Sequence, residues 1–106
     1  MQEYEIRRGL QGNIEPDKLK ASMQEIFGNV QERDGRFVSS FGAIKELTAW
    51  PSKKALGVDT KMDPSVPNDV AADTIKAYNT FLEKVTGYNA KERGKRAQKK
   101  AKEGKL

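Results

Sequence analysis

Hydrophobic and polar positions change period several times along the chain, and each change marks an element. Tyr4 and Ile6 alternate with Glu3, Glu5 and Arg7, the period of two expected of a strand with one buried face. From Pro16 the period lengthens. Leu19, Met23, Ile26 and Phe27 fall at i, i+4, i+7 and i+8, one face of a helix. Pro16 suits a first helical position, Asp17 favours the positive end of the dipole, and Gly28 can stop the helix in a left-handed cap. Ile14, five residues before Leu19, predicts a hydrophobic staple with Glu15 as the N-cap.

The stretch "VQERDGRFVSSF" places Asp34-Gly35 between two short alternating runs, and both turn residues tolerate the positive φ of a type I′ hairpin. Pairing around that turn sets Arg33 opposite Arg36, Glu32 opposite Phe37 and Val30 opposite Ser39. Gly42 permits a turn into "AIKELTAW", and Pro51-Ser52 breaks the chain before "KKALGVDTKM", where Leu56, Val58, Thr60 and Met62 alternate with Ala55, Gly57, Asp59 and Lys61. From about Val66 to Val85 a second helix is expected, with Ala71, Ile75, Tyr78, Leu82 and Val85 as its apolar stripe and Gly87 as its end. The order is β-α-β-β-β-β-α. It predicts an α+β two-layer sandwich, an antiparallel sheet with two helices on one face.

With 106 residues, 36% of them hydrophobic, the chain has material for one core. Its charge is uneven. Residues 89–106 carry eight basic side chains against Glu92 and Glu103, a net +6, which leaves −1 of the total +5 for residues 1–88. We therefore read residues 1–88 as a single α+β domain and 89–106 as a basic tail, flexible or partly helical. Cysteine and histidine are both absent, which excludes disulfides, thiolate chemistry and histidine-dependent nucleophile arrangements. Asp59, Asp63, Asp69 and Asp73 match no calcium-loop spacing, so neither a metal nor a cofactor is expected. No apolar run reaches the ~20 residues of a bilayer span, and the N-terminus lacks a signal-peptide core. A cytoplasmic, membrane-free protein is expected.

At "LTAWPSKKALGVDTKMD" and again at "TGYNAKERGKRAQKK" the sequence resembles a small uncharacterised archaeal protein family, over a stretch from the first strand to about Lys100. The resemblance implies a fold similar to one half of the TATA-box-binding protein. It implies no activity and brings no binding residues with it.

On the simple alternation of each strand, the sheet face away from the helices would carry Arg7, Gln31, Arg33, Arg36, Val38, Ser40, Lys45, Leu47 and Lys61, with Glu5 and Asp59 among them. Trp50 shares parity with Ile44 and Thr48 and is expected on the helix side, as core. Arg7-Arg8, Gly9 and Gly12 match neither a P-loop nor a dinucleotide fingerprint and read as a plain loop. In the tail, Asn89 is the candidate N-cap of a weak helix whose basic residues leave no apolar stripe to dock it.

Two functions follow, neither of them enzymatic. The first is association with nucleic acid, RNA or DNA, through phosphate contacts from Lys91, Arg93, Lys95, Arg96, Lys99, Lys100 and Lys102, with Arg33 and Arg36 as secondary contacts on the sheet. Neutralising about six phosphates implies a log K against log salt slope of roughly −5. The alternative is a protein-interaction module, docking a protein partner or a second copy through the sheet face, with the tail serving only solubility.

Overall fold

The computed structural model describes residues 2–52 and 55–95. Strand β1 (Gln2–Glu5) leads through a 3-10 turn (Gln11–Ile14) into helix α1 (Pro16–Phe27). Strands β2 (Gln31–Arg33), β3 (Arg36–Phe41), β4 (Ile44–Ser52) and β5 (Ala55–Met62) follow, then helix α2 (Asn68–Thr86). Residues 90–95 form a further helical segment, α3.

The five strands make one antiparallel sheet in the order β1-β5-β4-β3-β2. Both long helices lie on one of its faces, because only there do their apolar stripes meet the inward residues Phe37, Leu47, Ala49, Leu56 and Val58. Leu19, Met23 and Phe27 come down from α1, and Phe81, Leu82 and Val85 from α2. Phe81 is fully buried and its ring lies 5.3 Å from that of Phe27. Burying such a ring contributes about 1.5–3 kcal/mol, and the tilted aromatic pair adds ~1 kcal/mol. The expected two-layer sandwich is therefore present.

Local signals held at α1, which begins at Pro16, has Glu15 as its N-cap residue and ends at a left-handed Gly28 (φ 80°). They held equally at the β2–β3 hairpin, where Asp34 (φ 54°) and Gly35 (φ 79°) close the turn and Arg33 pairs with Arg36.

Expectations fail in α2 and in β4. In α2 the buried stripe is Thr74, Phe81, Leu82 and Val85, and Ile75 is 59% exposed. The helix is rotated because the Thr74 hydroxyl takes a buried place, accepting the Ala43 N–H at 2.9 Å and donating to the Val70 carbonyl at 2.7 Å. In β4 the register slips: Ile44 opposes Met62 but Glu46 opposes Lys61, and on the other side Phe41 opposes Ile44 while Ser39 opposes Leu47. One extra residue in β4, at Lys45, forms a bulge and inverts the parity of everything after it. Leu47 and Ala49 therefore face the helices, and Thr48 and Trp50 face away from them.

Candidate functional site

The outer sheet face is uncovered by any described element, and its residues follow from the strand registers. One cross-strand row reads Glu3, Gly57, Trp50, Arg36, Arg33 from β1 to β2. The next reads Asp59, Thr48, Val38, Gln31, and beyond it Lys61 faces Glu46. The β1 side of this face is acidic and the β2–β3 side is cationic.

Trp50 is the centre of the first row. Its indole packs closely against Gly57, where a β-carbon would overlap ring atoms Cε2 and Nε1. The Arg36 guanidinium lies over the ring, 4.2 Å from a ring centroid. An exposed stack of this kind is worth about 0.5–1 kcal/mol. Trp50 is thus a half-buried element of the open face and not the core residue expected from parity. The signal that would have placed it is Gly57, its direct cross-strand partner on β5, a pairing that only the bulge reveals.

Of the other residues assigned to this face, Gln31, Arg33, Arg36, Val38, Ser40 and Lys61 belong to it, whereas Leu47 is buried among the helices. Arg7 lies past the end of β1 and off the sheet. Its backbone N–H donates to the Thr86 carbonyl, its guanidinium pairs with Glu92 at 3.0 Å, and it stands 5.1 Å from the centre of the Tyr88 ring.

The start of the basic segment is built onto the body. Asn89 Oδ1 accepts the Glu92 N–H at 2.9 Å, and Glu92 Oε1 accepts the Asn89 N–H at 3.2 Å, a reciprocal capping box for α3. The "NAKE" spelling of that box is legible in the sequence. Arg93 then donates from Nη1 to the Tyr88 carbonyl (2.6 Å) and from Nη2 to Asn79 Oδ1 (2.7 Å). Its guanidinium is thereby engaged within the protein. Lys91 and Lys95 are exposed on α3, and Arg96, Lys99, Lys100 and Lys102 lie outside the described residues.

Two clefts border these surfaces. A polar one of about 500 Å³ runs along the β2 side, lined in part by Gln31, Arg33, Val38, Ser40 and Lys45. A more apolar one of about 430 Å³ opens between β5 and α2, with the exposed Met62 and Ile75 among its walls and Tyr78 within it. The Tyr78 and Tyr4 hydroxyls are 2.9 Å apart, and burial, reinforced by that hydrogen bond, pushes the Tyr78 phenol above its ordinary range. Among the described residues no group of three potential acidic ligands is gathered for a metal, and no helix is long and apolar enough to cross a membrane.

The sequence matches a domain of unknown function, DUF5611, over residues 1–99. The chain belongs to that family. No curated protein matches it. Its fold is similar to the NMR solution structure of hypothetical protein TA0095 from Thermoplasma acidophilum, at 28% identity over 92% of this chain and 97% of that one, with a TM-score of 0.66.

Proposed function

We propose that this chain is a small cytoplasmic nucleic-acid-associated protein, a binding module without catalytic chemistry, whose body is a TATA-box-binding-protein-like half and whose basic C-terminal stretch makes the phosphate contacts. The observation that carries the reading is the anchoring of α3. Arg93, Glu92 and Asn89 hold the first helical turn to α2 and to Arg7, while Lys91 and Lys95 project into solvent ahead of Arg96, Lys99, Lys100 and Lys102. An anchored base fixes where the cations begin and lowers the entropy lost when a polyanion orders them.

The test is a salt titration of binding to a short labelled oligonucleotide by the full chain and by a chain ending at Lys95, which keeps the anchor. The full chain should show a log–log slope of roughly −3 to −5, and the shortened one a slope of about −1 or no binding. Equal slopes and affinities would remove the basic stretch as the grip. The second reading, docking of a protein through the sheet, is favoured by the half-buried Val38, Thr48 and Trp50 on the uncovered face. It predicts a partner retained at high salt.

A further inference from the structure

The cationic half of the outer face has three features that are unfavourable or idle in the free protein. Arg33 stands directly opposite Arg36 in the β2–β3 pairing, and like charges facing across a ladder cost stability. Among the described residues neither guanidinium forms an ion pair. Trp50, the one tryptophan of the chain, packs on Gly57 on the outer face, half-buried, with the exposed Arg36 guanidinium over its ring.

A flat aromatic ring beside two cations that form no ion pair among the described residues matches a ligand that carries a planar ring and an anion a few ångströms apart. A nucleotide has that form. An aromatic stack with a base is stronger than an exposed stack with a guanidinium, so a base can take the place of Arg36 on the ring. The displaced guanidinium then lies next to Arg33, where a phosphate would offset the repulsion between them. The polar cleft lined by Arg33, Gln31, Ser40 and Lys45 continues from this point and gives the backbone a path along the β2 side.

We propose that Trp50 is a stacking site for an unpaired nucleobase in single-stranded nucleic acid, with Arg36 as its displaceable cover and Arg33 and Arg36 as the phosphate contacts. The proposal rests on the nucleic-acid reading above and adds to it a second contact, on the sheet, which selects bases that are free to leave a duplex. Double-stranded nucleic acid, whose bases are already stacked, would be held through its phosphates alone.

The single tryptophan makes the test direct. The full chain is titrated with a short end-labelled oligo(dT) and with an abasic strand of the same length, following label anisotropy for binding and tryptophan emission for the site. Both strands should bind, but only the base-bearing one should quench the emission, by about twofold or more. Trp50→Leu should weaken oligo(dT) binding by about 5- to 100-fold and leave the abasic strand unaffected. Arg33→Ala and Arg36→Ala should each reduce the size of the log–log salt slope by about 0.7. The emission readout uses the unaltered protein, so it stands even if the Trp50 variant folds poorly. Binding of oligo(dT) without quenching, or equal quenching by the abasic strand, would overturn the stacking site while leaving the nucleic-acid reading in place. Failure of both strands to bind would overturn both.

Discussion

The hydroxyl of Thr74 is the hydrogen-bond acceptor for the backbone N–H of Ala43, at 2.9 Å and out of reach of solvent. This one contact ties the middle of α2 to the β3–β4 turn. Replacing Thr74 by Val keeps the shape but leaves that N–H without a partner, a cost of about 1–3 kcal/mol. Thr74→Ser, which keeps the oxygen, should lose less. Urea denaturation of the two variants checks the order, and equal midpoints would show that the hydroxyl is not what holds the turn.

Gly57 is required by its neighbour and not by its backbone angles. A methyl group there would overlap the Trp50 ring, so Gly57→Ala should lift the indole off the sheet and destabilise the fold by about 1–3 kcal/mol. Tryptophan emission should move to longer wavelength in the folded state. An unchanged spectrum would mean that the ring is not seated on Gly57.

Arg93→Ala removes both bonds that fasten α3 to Tyr88 and Asn79. Because those bonds lie outside the core cluster, the loss should appear locally. Amide exchange over residues 90–95 should become fast, while the global unfolding midpoint changes by no more than about 1 kcal/mol equivalent. Glu92→Gln, which breaks the exposed pair with Arg7, should have a smaller effect on the same amides.

Tyr78 makes the fold sensitive to alkali. Its phenol is held above its ordinary value of 10.0 mainly by burial, so the folded state keeps the proton more tightly than the unfolded chain. Stability from this group is fully present below about pH 10 and declines as pH rises beyond it, because the unfolded state ionises first. Thermal unfolding followed from pH 8 to 11 should show a steeper alkaline decline for the wild type than for Tyr78→Phe. Parallel curves would assign the decline to other groups.

What could be read from the sequence was whatever depends on neighbours in the chain. Pro16, Asp17 and Gly28 bound α1, and Asp34-Gly35 makes a hairpin whose register follows from the turn itself. These are local choices of dihedral angle, and the residues that make them are few. The stripe of α2 was harder, since Ile75 and Thr74 are adjacent and the choice between them is made by Ala43, some thirty positions earlier. The face of Trp50 was illegible for a similar reason. Alternation counts residues, and a bulge adds one without any distinctive letter, so Lys45 looks like any other strand lysine. The candidate site was correspondingly half visible: Arg33 and Arg36 precede the bulge and were placed on the outer face, whereas Trp50 and Leu47 follow it and were exchanged. Arg93 was visible as a cation, but its partners Asn79 and the Tyr88 carbonyl are set by how α3 leaves α2.

The extra residue in β4 makes the positions between the Gly42 turn and Trp50 unequal in how well the fold tolerates their loss. Substituting Lys45 by another strand-compatible residue leaves every later side chain on its own side, and so would losing that one position, because Ile44, Glu46 and Leu47 would then alternate plainly against Met62, Lys61 and Thr60. A three-nucleotide deletion there is therefore a lesion the strand can absorb, whereas one between Leu47 and Trp50 would exchange the faces on one side of the gap.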